Sequence, residues 1–173
     1  MSRPDLAQLA DRCAIHDVLA RYCRGVDRCD PAELRRVFAP DARIDYGDGA
    51  TARDETIADL MEGLGAMRLT HHNIGNVICE IAGDEARAET YCVAHHFLDG
   101  PEGGEIELVV GGRYLDRLAR GADAAWRITE RLYVMDWNRT APSTMRTEGG
   151  LFDRLQRRGG RAPDDPSRDW WTR

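Results

Sequence analysis

Apolar residues recur every three or four positions up to about residue 63 and alternate with polar ones beyond residue 72. This one change of period divides the chain into a helical part and a sheet part. From Asp5 to about Gly25, Leu9, Cys13, Leu19, Tyr22, Cys23 and Val26 share one side of an amphipathic helix, with Asp11, Arg12, Asp17 and Arg21 between them. Asp30-Pro31-Ala32-Glu33 opens a second, short helix that ends by Pro40. Asp30 caps it, Pro31 fits a first turn that needs no donor, and Glu33 completes a capping box. Ala42 to Tyr46 reads as a brief strand closed by Gly47-Asp48-Gly49, and Arg53 to about Gly63 returns to helical spacing through Ile57, Leu60 and Met61.

After the change of period, Val77 to Ile81 and Ala86 to Phe97 form one long hairpin about Gly83-Asp84. Ile106 to Leu118 and Trp126 to Trp137 form another about Arg120-Gly121-Ala122-Asp123. Gly111-Gly112 predicts a bulge or sharp bend, and so a curved sheet. The expected class is α+β, a curved antiparallel sheet wrapped over N-terminal helices, with one domain over residues 1–138. Residues 139–173 read as a loosely attached tail rich in Gly-Gly and Pro pairs, with a short helical candidate at Leu151 to Gln156. Trp170 and Trp171 are large rings to leave wet, and they are expected to dock over a pocket mouth or on a neighbouring subunit.

Composition narrows the chemistry. All 24 basic residues are arginine, which excludes a lysine Schiff base, pyridoxal phosphate attachment or a phosphate-loop lysine. The net charge of −6 argues against nucleic acid as a partner. Serine occurs only at Ser2, Ser143 and Ser167, and GxSxG, HExxH and GxGxxG are absent, so hydrolase, metalloprotease and dinucleotide readings lose support and no cofactor is expected. The five cysteines are odd in number and include no CxxC pair, which reads as reduced thiols. The opening Met-Ser-Arg-Pro-Asp has no apolar stretch after it, and no run is long enough to span a bilayer. The expected compartment is the cytoplasm, without membrane association.

Acid–base candidates fall at Tyr22 and Asp27, at His71-His72 and at His95-His96. Neighbouring strand residues point to opposite faces, so each histidine pair offers one member to a site. Thr90, Cys92, Ala94 and His96 share one face, and these smaller residues suit the inside of a concave sheet, whereas Tyr91, Val93, His95 and Phe97 suit packing against another layer. Such histidines either satisfy core hydrogen bonds or serve a ligand. A metal would need His72 and His96 plus a third ligand such as Asp27, and no metal-site spacing is present, so none is expected. Asp27 meets the negative end of its helix dipole and calls for a partner, which an imidazole would supply; the alternative is a solvated turn residue. Tyr22 is a core aromatic or a donor to a substrate oxygen.

The helix with Tyr22 and Gly25-Val26-Asp27, then Phe38-Ala39-Pro40-Asp41-Ala42, His71-His72-Asn73-Ile74-Gly75-Asn76, Tyr91-Cys92-Val93-Ala94-His95-His96 and Trp126-Arg127-Ile128 form a familiar series. From Leu6 to Asn138 the sequence resembles the SnoaL-like branch of the NTF2-like superfamily, which includes scytalone dehydratase, bile-acid 7-alpha-dehydratase and hexachlorocyclohexane dehydrochlorinase. The resemblance implies a cone-shaped α+β barrel enclosing an apolar pocket, assembled as a homodimer or homotrimer. It also implies a catalytic pair at Asp27 and His72, a further histidine at His96 and a substrate-orienting tyrosine at Tyr22. Tyr46 and Asn138 are loose counterparts of further polar residues in scytalone dehydratase. The implied activity is a cofactor-free elimination on a small hydrophobic cyclic or aromatic substrate: His72, oriented by Asp27, removes a proton, and Tyr22 or His96 protonates or stabilises the departing oxygen. Proton transfer of the isomerase or polyketide-cyclase kind, and a non-catalytic ligand-binding or assembly domain, are the rival readings. Arg113, Met135 and Trp137 are further candidates for the pocket lining.

Overall fold

The computed structural model describes residues 4–171. Helix α1 (Leu6–Asp27) starts at Asp5, whose side chain accepts from the Gln8 N–H while the Gln8 side chain accepts from the Asp5 N–H. It buries Ile15, Leu19, Tyr22, Cys23 and Val26. Asp30 caps α2 (Pro31–Val37) as expected. Glu33, however, is buried and ion-paired with Arg21 and Arg36 at 3.0 and 3.2 Å rather than closing a capping box. Strand β1 (Phe38–Asp45) follows α2 without a loop, then come the short β2 (Thr51–Ala52) and α3 (Arg53–Gly65). The first strand therefore begins four residues before the expected Ala42.

Four long strands follow: β3 (Leu69–Ala82), β4 (Glu85–Asp99), β5 (Glu105–Arg120) and β6 (Trp126–Pro142). The sheet order is β2-β1-β6-β5-β4-β3. The sheet is open, curved and mixed, since β1 runs parallel to β6 while the other pairings are antiparallel. The fold is the expected α+β cone with its long strands antiparallel, and β1 adds one parallel neighbour at β6 that the sequence reading did not include. Hairpin spacing predicts antiparallel neighbours; β1 reaches β6 only because three long strands intervene, which no local pattern reveals.

Curvature comes where Gly111-Gly112 predicts it. The pairing of β5 with β6 shifts between these glycines, leaving Asp136 as an extra residue. A Cβ on Gly111 would lie 2.1 Å from the Trp137 ring on the convex face, and one on Gly112 would lie 2.6 Å from the Tyr133 hydroxyl on the concave face. In β4, Ala86, Ala88, Thr90, Cys92 and Ala94 are buried on the concave side, as expected, with His96 continuing that side. Tyr91 and Val93 are exposed on the convex side rather than packed against another layer of this chain. Arg113 and Trp137 share that convex side, where Arg113 binds Asp136 and Glu89 instead of lining a pocket.

The core is centred on a charge. Arg131, 1% exposed, makes a two-point ion pair with Asp116 at 2.7 and 2.8 Å, and its guanidinium lies 4.0 Å from the Tyr22 ring and 4.1 Å from the Tyr114 ring. Sequence alternation from Ile128 would put Glu130 inside; a register shift beside Leu118 turns Arg131 inward instead. The two flanking rings offer their negative faces, each worth about 0.5–2 kcal/mol to a desolvated cation.

The tail is anchored rather than loose. Beyond a 3-10 turn at Gly150–Arg154, the Ala162 N–H donates to Arg28 O at 2.6 Å, and buried Asp165 pairs with Arg28 at 3.0 Å. Helix α4 (Ser167–Trp171) follows. Trp170 is 77% exposed rather than covered by the described residues, while the side chain of Trp171 lies outside them. No helix among the described residues is long and apolar enough to cross a membrane.

Removing one partner of a buried ion pair strands the other. Asp116→Ala is therefore expected to lower unfolding free energy by about 3–5 kcal/mol. Urea denaturation checks this, with Asp116→Ala/Arg131→Met losing less than the sum of the single changes.

Candidate active site

α1 ends at Asp27 because the chain turns there through Cys29, a non-glycine residue at φ 47°. The turn leaves the Asp27 side chain facing the start of β3. Its Oδ2 accepts from the His72 main-chain N–H at 2.9 Å, and its Oδ1 accepts from His72 Nδ1 at 2.7 Å. Both side chains are more than nine-tenths buried. A carboxylate only accepts, so the contact directs a proton of His72 to Nδ1, and in the neutral ring Nε2 is then the acceptor. Asp27 thereby sets the tautomer of an imidazole and stands ready to balance its positive charge.

His96 lies on β4 across the concave face, its ring 5.4 Å from that of His72 and nearly perpendicular to it. Its Nδ1 donates to the Leu108 carbonyl at 3.3 Å, so Nε2 is again the acceptor. Burial, followed by the neighbouring His72, pushes the His96 pKa below its ordinary value of 6.5. With Nδ1 turned to that carbonyl, the ring presents Nε2 to the concave face. Sequence alternation correctly separates the histidine pairs: His71 and His95 face outward, where His95 binds Glu107 at 2.7 Å.

Tyr22 is placed differently from Asp27, His72 and His96. Its ring belongs to the cluster around Arg131, and its hydroxyl shares a 2.7 Å hydrogen bond with that of Tyr46. Burial holds the pKa of both phenols above the usual value, that of Tyr22 well above, so both keep their protons. One hydroxyl of the pair donates to the other, leaving a single proton for a third group. Tyr46 also borders a cleft of about 300 Å³ between β1 and α3, walled by Ile44, Leu60, Leu64 and Met67. Larger clefts, of about 390 and 520 Å³, lie against convex-face residues such as Glu80, Arg87 and Arg117, away from the histidines.

All five cysteines are free. Burial pushes the Cys23 thiol up to about 12 and raises Cys79 and Cys92 as well, which disfavours thiolate chemistry in the core. Among the described residues no group of three or more His, Cys, Asp or Glu is placed to hold a metal ion.

Residues 7–132 match the family model of the SnoaL-like domain, and the chain belongs to that family. An uncharacterised protein of Mycobacterium tuberculosis is 32% identical over 130 residues, covering 73% of this chain and 86% of its own length. Among solved structures, a type 2 hexachlorocyclohexane dehydrochlorinase superposes with a TM-score of 0.72 at 22% identity, over 86% of this chain and all of that one. An NTF2-like superfamily protein of Salmonella enterica superposes with a TM-score of 0.62 at 16% identity, over 81% of this chain and 99% of that one. Both structural likenesses are of fold.

The depressed His96 pKa has a consequence for stability. Unfolded, His96 takes up a proton as pH falls through 6.5, whereas in the folded protein it does so only at lower pH. The unfolded state then binds more protons, so stability drops as pH falls below 6.5 and levels off once folded His96 is protonated. His96→Gln is expected to flatten this part of the acid limb, as read from urea midpoints between about pH 7.5 and about pH 5.

Proposed function

We propose that this chain is a cytoplasmic, cofactor-independent lyase that carries out a dehydratase-type elimination on a small hydrophobic cyclic or aromatic substrate, with Asp27 and His72 as its general base. The observation that carries this reading is the two-point contact of Asp27 with His72, which leaves Nε2 as a free lone pair on a buried imidazole. An imidazole in that state takes a proton from a carbon beside an activating group, and the carboxylate stabilises the imidazolium that forms. As electrons move into the adjacent bond and the carbon–oxygen bond breaks, negative charge develops on oxygen. The spare proton of the Tyr22–Tyr46 pair stabilises that charge, and His96 Nε2 accepts from a substrate hydroxyl. The proton count closes when the His72 imidazolium returns its proton to the departing oxygen, releasing water. Tyr22 thus acts through Tyr46 rather than alone.

The apolar residues Ile78, Tyr91, Val93 and Leu132, exposed on the convex face, support a homodimeric or homotrimeric state. Sedimentation equilibrium at micromolar concentration is expected to give a mass of two or three chains, and a monomer would remove that part of the proposal.

Turnover of hydroxylated and keto steroids, phenolic alcohols and alicyclic compounds, followed by mass spectrometry, tests the reaction. The native protein is expected to remove water or another small neutral fragment. His72→Ala and Asp27→Asn are each expected to lower kcat/KM by about 10²–10⁴-fold. Unchanged mass with a moved double bond would replace elimination by isomerisation, and tight binding without turnover would make the protein a ligand-binding domain.

A further inference from the structure

We propose that Arg161, far along the tail, is the positioning residue of the Asp27–His72 pair; the inference rests on reading that pair as the acid–base centre. The last carbonyls of a helix lack intrahelical partners and must find others. At the end of α1, Arg24 O takes the Arg28 N–H, Gly25 O takes the Asp30 N–H and Val26 O takes the Cys29 N–H. Asp27 O remains, and Arg161 Nη1 donates to it at 2.7 Å. The same Nη1 donates to Thr70 Oγ1 at 3.0 Å, two residues before His72 on β3. Nη2 donates to Leu64 O at 2.9 Å and to Met67 O at 3.2 Å, where α3 ends and the chain turns into β3.

One planar group therefore fixes the main chain of Asp27 relative to the strand that carries His72. The contact between Oδ1 and Nδ1 depends on that distance. Arg161 touches neither the carboxylate nor the imidazole, so it acts through them. Its charge sits at the C-terminal ends of two helices, where a cation is favoured. Four acceptors on three elements need the rigid fork of a guanidinium, and an ammonium, with three donors at one point, cannot span them. The segment is itself held in place: Ala162 N–H donates to Arg28 O, Arg28 pairs with Asp165, and Asp165 accepts from the N–H groups of Gly160 and Ser167 at 2.8 and 2.9 Å. Residues 160–167 are thus part of the scaffold of the site, although the family match ends at residue 132.

The test uses the full chain labelled with 15N-histidine. Long-range proton–nitrogen NMR reads the tautomer of each neutral histidine, and hydrogen exchange reads the His72 amide. In the native protein His72 is expected in the Nδ1–H form; finding Nε2–H there would sink the acid–base pair itself and the inference with it. With the native tautomer established, Arg161→Gln is expected to give a mixture of tautomers at His72 and exchange at least about tenfold faster, leaving His16 and His95 unchanged, with Arg161→Lys intermediate. A His72 that keeps its Nδ1–H form and its protection in Arg161→Gln, with only the melting temperature lowered, would make Arg161 a plain tether and overturn the proposal while sparing the pair. Should Arg161→Gln lack a dispersed spectrum, Thr70→Val, which removes one of the four contacts, decides on the same readout: a changed tautomer supports positioning, an unchanged one refutes it.

Discussion

Asp27 holds a carboxylate away from water at the end of a helix whose dipole opposes it, and an unpaired ion so placed would cost several kcal/mol. Two donors from one residue, the main chain and ring of His72, answer that cost. Hydrogen bonds to a charged acceptor contribute about 1.5–3 kcal/mol each, so the pair is favourable only while both are made. Strand β3 must therefore begin where it does, α3 must deliver the chain to that point, and the remaining carbonyl of α1 must be covered. The ends of α1 and α3 and the start of β3 thus meet around the Asp27–His72 pair.

A second buried charge governs the other end of the same surface. Arg131 is neutralised by Asp116 and flanked by Tyr22 and Tyr114, which uses the planar faces of the guanidinium as well as its edge. Because Tyr22 belongs to α1, this cluster also sets the rotation of the helix about its axis. Asp27 lies five residues further along the same helix. The Tyr22–Tyr46 hydroxyl pair places a protonated donor next to a permanent cation.

Much of this was legible in the sequence. The change of period gave helices before strands, alternation separated His72 and His96 from His71 and His95, and the dipole argument required a partner for Asp27. Features set by long-range geometry were hidden. The parallel seat of β1 depends on three intervening strands, and the inward turn of Arg131 depends on a register shift that breaks alternation. Arg161 sits in a Gly-Gly-Arg-Ala-Pro stretch whose composition suggests a free tail, yet it meets Asp27 across 134 positions. Burial of Glu33 was masked because its spacing from Asp30 fits a capping box, a motif that usually leaves the side chain at the surface.

Gly111 and Gly112 are neighbours with opposite duties. The first leaves room for an indole on the outside of the sheet, and the second leaves room for a phenol hydroxyl on the inside. The wall between interior and exterior is here a single peptide unit thick. Any side chain at either position would have to displace an indole on one side or a main-chain carbonyl and a phenol on the other, so the bend and both surfaces it separates rest on the absence of the same two Cβ atoms.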